Sequence, residues 1–305
     1  MHDLILPAIP FFVFFLVLEW LTFRHAGEHV IGYERRDTRT SLSMGAGSVV
    51  VGVAWGFAVL AIYAALYSAT PLRMSAGHWW TYALLVVADD LAFYWYHRIS
   101  HEVRVFWASH VVHHSSTHFN LSTAPRQPWV PLTTLPFWAP LALLGFAPWM
   151  IFGMQSVSLI YQFALHTERI GRLPRPVELT FNTPSHHRVH HGSQERYLDK
   201  NYGGILIVWD RLFGTFAGER ERVVYGLTTN IDTFNPIRVA FGEYTAIWRD
   251  VRRAPDWHAR LGYVFGGPGW TPGRHGRGLA HDVAHELAPP VAELARAHAP
   301  ARVPE

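Results

Sequence analysis

Long apolar stretches constrain this chain more than any other feature of its sequence. Residues 45–67 hold no charged side chain in 23 positions, and residues 129–166 hold no formal charge in 38. Residues 4–23 are interrupted only by Glu19, and residues 79–96 only by the adjacent pair Asp89 and Asp90. Because a helix needs about 20 apolar residues to cross a bilayer, the sequence predicts an all-α integral membrane protein.

The 38-residue stretch is too long for one spanning helix and suits two helices of about 19 residues. The Gly145-Phe146-Ala147-Pro148 break is the natural place for the chain to turn. We therefore expect a multi-span helical bundle with about three full spans, near 4–23, 45–67 and 79–96, plus a helical hairpin at 129–166.

We expect the polar segments 97–128 and 167–245 to form a histidine-rich cap on this bundle. The bundle and the cap would together make one membrane domain over residues 1–273. The short apolar run 203–209 is interpreted as a buried strand or as interfacial packing. Residues 274–305 are rich in Ala, Pro, Arg and His, a composition that predicts a disordered tail.

Arginines predict the orientation of the bundle. The segment after the first span is interpreted as a loop carrying Arg24, Arg35, Arg36 and Arg39, whereas the loop after the second span carries only Arg73. The positive-inside rule then places the first loop in the cytosol and the amino terminus outside. Span three and the hairpin would both end at the cytosolic face. A bacterial inner membrane is favoured, with the endoplasmic reticulum as the membrane of a eukaryotic chain.

Composition narrows the chemistry further. The chain has no cysteine, which excludes disulfides, thiolate-bound zinc and thiol catalysis. It has 20 histidines against 23 acidic residues, more than core packing alone would require. The net charge of +3, with Lys200 as the only lysine, is too weak and scattered for a nucleic-acid binder.

Eight histidines fall in three patterned motifs, HRISH, HVVHH and HRVHH. Residues three and four apart share one helix face, so each motif would aim two or three imidazoles at one point. Eight imidazoles are too many for one metal ion and suit two, and iron is favoured, although ligand type alone does not exclude zinc. A single such motif could also be a histidine-rich surface helix; three copies make that alternative weak. The eight are His97, His101, His110, His113, His114, His187, His190 and His191.

The order HxxxH, HxxHH, HxxHH after several apolar spans resembles the sterol desaturase and fatty acid hydroxylase superfamily of membrane di-iron oxygenases. The stretches HHSSTHFNLSTAPRQ, QFALHTERIG, FNTPSHHRVHHG and DKNYGGILIVWDRLFGTF are similar to its alkylglycerol monooxygenase branch. The resemblance covers about residues 89–273.

The resemblance implies that the eight motif histidines bind two iron ions, with His166 as an extra ligand. His186 is left open as a ligand or as a residue behind the ligands, and His118 is interpreted as exposed or gating. Carboxylates and amides should orient the imidazoles through their outer ring nitrogens. Asp89 competes with Asp90 for this role. For each candidate, the alternative is a helix cap or a surface charge. The candidates are Asp90, Glu168, Asp199 and Asn201.

The function implied is O2-dependent hydroxylation of the alkyl or acyl chain of a lipid, with ether-lipid cleavage if the branch holds. Electrons would come from outside the chain, from tetrahydrobiopterin by resemblance or from an electron-transfer protein. Desaturation on the same scaffold, a histidine-rich metal transporter and a non-enzymatic lipid-binding protein remain alternatives. The sequence leaves the oligomeric state open. Aromatic residues proposed to line the lipid tail, with a lipid-facing role as the alternative, are Phe93, Trp95, Trp129, Phe137 and Trp138.

Overall fold

The computed structural model describes residues 4–23 and 31–273, and this part of the chain is helical. Its elements are eleven α-helices and a 3-10 turn at Pro131–Thr133. The helices are α1 Ile5–Phe23, α2 Arg35–Ala69, α3 Trp79–Glu102, α4 Arg104–His114, α5 Leu135–Leu143, α6 Pro148–Phe163, α7 Arg175–Thr180, α8 Pro184–His190, α9 Val208–Phe213, α10 Pro236–Arg253 and α11 Trp257–Phe265.

The described residues form no β-strand, and their β-type pairing is limited to two isolated bridges, Phe181–Leu206 and Gly192–Tyr225. The strand interpretation of residues 203–209 is therefore wrong: this run is a loop that enters α9. The predicted tail at 274–305 lies outside the described residues.

Within residues 4–23 and 31–273, two helices, α1 and α2, are long and apolar enough to cross a membrane. With 35 residues, α2 is about 52 Å long at 1.5 Å per residue, against a hydrocarbon core of about 30 Å. It therefore extends well beyond one bilayer core. Arg35, Arg36 and Arg39, which we assigned to a loop, lie in its first turns. The helix begins there because the Glu34 carboxylate accepts the backbone N–H of Asp37 at 2.7 Å.

The predicted third span lies within α3, which continues to Glu102 and so carries the HRISH motif on the same helix. Both of its aspartates are fully buried. Asp89 accepts a hydrogen bond from the Trp138 indole at 2.8 Å, which joins α3 to α5.

The hairpin turns where the sequence predicted, but its helices are shorter than expected. α5 has 9 residues and α6 has 16, or about 14 and 24 Å, so neither alone spans about 30 Å. Pro131 and Pro136 limit α5 at its start, since each lacks a backbone N–H that a longer helix would need. Gly145 makes the turn with a φ of +91°, where a Cβ would lie 2.7 Å from the Leu72 backbone.

An apolar cluster fills the space between α2, α3, α5 and α6. Its buried members come from all four helices, which makes these helices one packed unit rather than separate spans. They are Val59, Tyr63, Leu85, Trp138, Leu141, Ala142, Phe146, Met150, Ile151 and Met154.

A buried ion pair joins α2 to the cap. Arg126 Nη1 lies 3.1 Å from Asp37 Oδ1, and both side chains are almost fully buried. The Arg126 Nε donates to the carbonyl of Val112 in α4 at 3.0 Å, and Ser116 Oγ donates to the second Asp37 oxygen at 2.6 Å. The pair therefore fixes the end of α4 against α2.

We expect Asp37→Asn to lower the free energy of unfolding by about 3–5 kcal/mol, because it leaves the Arg126 guanidinium buried without its counter-charge. Chemical unfolding in detergent measures this. Arg196→Gln is the matched control, since its pair with Glu221 is exposed and should cost less than about 1 kcal/mol. Equal effects of the two substitutions would contradict the assignment.

Candidate metal centre

Three short helical segments present the motif histidines. His97 and His101 lie one turn apart near the end of α3, and α4 begins again after Val103. His113 and His114 end α4, one turn after His110.

The last motif is carried by α8, which begins with Pro184 after Thr183. The Thr183 side chain accepts the backbone N–H of His186, so the helix is capped at a fixed residue. His187 and His190 then share one face of α8, and His191 follows as the residue that ends it.

These three segments, together with His166 just after α6, bring nine buried histidines into two groups, and within each group the possible ligand atoms lie within 4.8 Å of one another. The first group holds one more donor than the second. The first comprises His97, His101, His110, His114 and His190; the second comprises His113, His166, His187 and His191.

Backbone carbonyls determine which ring nitrogen of four histidines carries the proton. A carbonyl oxygen only accepts hydrogen bonds, so the Nδ1 atom facing it must be protonated. The pairs are His97 with Tyr202 at 2.8 Å, His190 with Lys200 at 2.9 Å, His166 with Gln162 at 2.8 Å and His113 with Arg126 at 3.3 Å. A neutral ring protonated at Nδ1 keeps a lone pair on Nε2.

These lone pairs converge on each other. The Nε2 atoms of His113 and His166 are 3.1 Å apart, and neither has a proton to offer the other. Such a contact is repulsive unless a cation lies between the two atoms. In addition, the Nε2 atoms of His101 and His191 are buried without a hydrogen-bond partner, which is rare unless a ligand or ion completes the site.

The spacing of the nitrogens also fits a metal ion. In the first group, successive Nε2 atoms of His97, His110, His114 and His190 are 3.0 to 3.1 Å apart. Two imidazoles bound side by side to one six-coordinate ion at about 2.1 Å have their nitrogens about 3.0 Å apart. The donors therefore fit a transition metal that accepts nitrogen ligands.

Burial keeps the imidazoles of the cap uncharged. It lowers their pKa well below the ordinary value of 6.5, because a charged ring is costly away from water. A neutral imidazole is the form that binds metal. This applies to His110, His113, His114, His187, His190 and His191.

The histidines left open by the sequence lie elsewhere. His186 is buried but belongs to neither group, and its Nε2 lies 2.9 Å from the Glu178 carboxylate. His118 is partly exposed, with its Nδ1 3.3 Å from Thr117 Oγ1.

The carboxylates and the amide expected behind the ligands act mostly on the backbone. Asp90 accepts the N–H groups of Ile205 and Leu206 at 2.6 and 3.0 Å and does not reach an imidazole. Asp199 lies 3.6 Å from His101 Nδ1.

Glu168 and Asn201, like Asp90 and unlike Asp199, bind groups other than the nine histidines. Glu168 accepts the Ile31 N–H at 2.9 Å and the Tyr225 hydroxyl at 3.1 Å. The Asn201 amide donates to the carbonyls of His186 and Ala217, at 3.0 and 2.7 Å.

Sequence reasoning missed Asp210, which holds the loop behind the first group. Its carboxylate accepts the backbone N–H groups of Tyr202 and Gly203 at 2.8 and 2.7 Å and the Thr215 hydroxyl at 2.6 Å. It thereby fixes the Tyr202 carbonyl that orients His97. The available signal was an acidic residue directly after the apolar run GGILIVW.

Residues 82–215, which contain all nine grouped histidines, match the family described as fatty acid hydroxylase. This part of the chain is therefore similar to a fatty acid hydroxylase domain. The resemblance inferred from the histidine motifs is thus confirmed.

Relatives extend the match beyond the fatty acid hydroxylase domain. Alkylglycerol monooxygenase of Homo sapiens is 40% identical over 92% of this chain and 63% of its own length. Alkylglycerol monooxygenase of Danio rerio is 39% identical over 90% of this chain and 62% of its own length. Delta(7)-sterol 5(6)-desaturase of Leptosphaeria maculans is 25% identical over 69% of this chain and 57% of its own length. The chain therefore spans less than two thirds of these relatives. No solved structure matches it.

We expect His190→Ala and His113→Ala each to remove one metal ion, so that about two ions per chain fall to about one. Each substitution deletes a donor from a different group. Elemental analysis of the detergent-purified protein measures the loss. His118→Ala and His186→Ala are controls that should retain both ions; full metal content in His190→Ala would contradict the grouping.

Asp210→Asn should weaken metal binding about 10- to 100-fold, because an amide cannot accept both backbone N–H groups and the Tyr202 carbonyl would shift from His97. Competition with a chelator measures the affinity. Asp256→Asn removes a carboxylate that caps α11, and it should leave metal affinity unchanged. Equal affinities for the two variants would show that the loop does not depend on Asp210.

Proposed function

We propose that this chain is a membrane-bound di-iron oxygenase that hydroxylates the alkyl or acyl chain of a lipid. The observation that carries the proposal is the convergence of unprotonated imidazole nitrogens in two adjoining groups, next to an apolar helical bundle. Similarity to alkylglycerol monooxygenases and to the fatty acid hydroxylase family supports the reaction class.

The five-histidine and four-histidine groups would each hold one iron ion. Bound there, the ions would supply the activation of O2. Neither group contains a carboxylate, which distinguishes this site from di-iron bundles built on Glu-x-x-His motifs. On six-coordinate ions the donor counts leave one position open in the first group and two in the second.

The reaction consumes a C–H bond, O2, two electrons and two protons and yields an alcohol and water. The electrons must come from outside the chain, because it has neither cysteine ligands nor a nucleotide-binding glycine motif. Tetrahydrobiopterin, implied by the resemblance, or an electron-transfer protein would supply them.

Aromatic rings around the histidines exclude water from the reaction. Phe119 packs against the rings of His166 and His191, with ring centres 5.6 and 5.0 Å apart. On the other side, Trp107 packs against His101 at 5.2 Å. Excluding water in this way protects a strong oxidant from side reactions.

Phe93 connects the first group to the apolar bundle. Its ring centre lies 5.2 Å from that of His97 and 6.4 Å from that of Trp138, which belongs to the buried cluster. A lipid tail that reaches the metal from the bundle would pass this ring.

The other aromatic residues proposed to line the tail divide between the bundle and its surface. Phe137 packs against the same cluster as Trp138. Trp95 is exposed beside Phe213, and the Trp129 indole N–H donates to the Met44 carbonyl at 2.9 Å. Phe137 thus joins Phe93 and Trp138 as a tail-lining candidate.

The substrate we favour is an ether lipid, since two alkylglycerol monooxygenases are the stronger matches. Hydroxylation of the carbon beside the ether oxygen gives a hemiacetal that breaks into a fatty aldehyde and a glycerol derivative. Desaturation is the second candidate, supported by the weaker similarity to a sterol desaturase. We place the metal groups at the cytosolic face of the membrane.

Purified, iron-loaded protein should convert a long-chain alkylglycerol to fatty aldehyde only when O2 and a reductant are both present. Mass spectrometry of the products, with 18O2 as the oxygen source, measures this. The label should appear in the aldehyde before it exchanges, so the aldehyde is trapped by reduction. His190→Ala should lose nearly all activity because it removes an iron donor.

Product type separates the two candidates. If the protein instead forms an unlabelled alkene from a sterol or fatty acyl substrate and does not turn over the alkylglycerol, the reaction is desaturation and not hydroxylation. Stoichiometric zinc that iron cannot displace, with no oxidation of any lipid, would overturn the oxygenase proposal.

A further inference from the structure

Helix α10 leaves a row of large apolar side chains uncovered by the described part of the chain. Ile237, Phe241 and Trp248 are 64%, 41% and 59% exposed. At about 100° per residue, these three positions fall within about 40° of one another around the helix. The residues that pack inward, Val239 and Ile247, lie on a different side. These three residues therefore form an apolar stripe along one side of the helix.

Arginines flank this stripe on the side away from the protein. The only acidic residues of α10, Glu243 and Asp250, face inward and are both paired with Arg104 of α4, at 2.7 and 2.8 Å. The outward charge of the helix is thus positive. It comes from Arg238, Arg249, Arg252 and Arg253.

Helix α11 repeats the pattern. Trp257, Leu261 and Phe265 are 73%, 55% and 60% exposed, and their i, i+4, i+8 spacing places them along one side of the helix. The guanidinium of Arg260 lies 4.9 Å from the Trp257 ring centre, as that of Arg252 lies 4.7 Å from the Trp248 ring centre. Tryptophan and arginine side by side are typical of a membrane–water interface.

We propose that α10 and α11 lie flat in the interfacial layer of the bilayer that holds α1 and α2, on anionic phospholipids. Neither helix is among the two that are apolar and long enough to span. A large apolar stripe with arginines beside it and low overall hydrophobicity is the pattern of a helix that lies in the interface.

The position of the stripe in the fold also supports contact with the bilayer. Phe241 contacts Trp129 at the start of the 129–166 segment, with ring centres 6.2 Å apart. The carbonyl of Phe234, just before α10, accepts the Thr40 hydroxyl of α2 at 2.9 Å. The stripe is therefore continuous with the surface where the apolar bundle begins, and α10 sets the level of the bilayer surface relative to α4 and its histidines.

The absence of cysteine makes a direct test practical, since one introduced cysteine can be labelled uniquely with a nitroxide. Trp248→Cys, Leu261→Cys and, as the matched control on the flanking side of α10, Arg249→Cys are compared in the full chain in phosphatidylcholine nanodiscs containing phosphatidylglycerol. The ratio of collision with O2 to collision with a water-soluble nickel chelate should be at least about fivefold higher at 248 and 261 than at 249.

Three results would overturn the proposal. The first is an equal ratio at all three positions. The second is dipolar broadening between labels at 248 in nanodiscs that hold two chains, which would make the stripe an interface between copies. The third is an unchanged ratio at 248 when phosphatidylglycerol is omitted, which would remove the role of the arginines. Metal content measured on the same samples shows that the variants are folded.

Discussion

The lone pairs on facing imidazole nitrogens are the constraint that organises this protein. Neutral rings whose Nδ1–H donates to a backbone carbonyl must present bare Nε2 atoms to one another, and the Nε2 atoms of His113 and His166 lie 3.1 Å apart in this way. The arrangement needs cations to be stable, and it also needs the carbonyls to stay in place. Much of the cap holds those carbonyls: Asp210 fixes the backbone of Tyr202 and Gly203, and Asn201 binds the loop to Ala217.

Each of the first three helices contributes one buried carboxylate to this framework. In α1, Glu19 accepts the Leu121 N–H at 2.8 Å and hydrogen-bonds Thr167, next to His166. In α2, Asp37 binds Arg126, and in α3, Asp90 binds Ile205 and Leu206. Acidic residues in apolar helices are costly and usually meet polar partners inside the protein. Here those partners belong to the segments that position the histidines, so the membrane helices and the metal site are one structure.

The clustering of the motif histidines was predictable, because residues three and four apart share one face of a helix whatever the helix packs against. Apolar length likewise predicted α1, the central part of α2 and the turn at Gly145. The division of nine histidines into sets of five and four was not predictable, because it depends on how α4 and α8 cross: His113 and His114 are adjacent in sequence but fall in different groups.

Side-chain partners escaped prediction for a related reason. We expected Asp90 to bind an imidazole because it lies nearly on the helix face of His97, whereas backbone N–H groups from residue 205 onward occupy its oxygens. Asp37 gave no signal at all, because a charged residue near three arginines is typical of an exposed loop. Its burial depends on Arg126, 89 residues later.

The short helix α8 has a consequence for how the protein is made. When the chain has been synthesised through His166, three residues after α6 ends, six of the nine grouped histidines are present, yet each group still lacks part of its donor set. His187, His190 and His191 arrive together, and the carbonyls of Lys200 and Tyr202 follow only a few residues later. Any ion bound by these groups would therefore find its complete set of donors only late in synthesis, after α1–α6 have been made, and would join segments of the chain that are far apart in sequence.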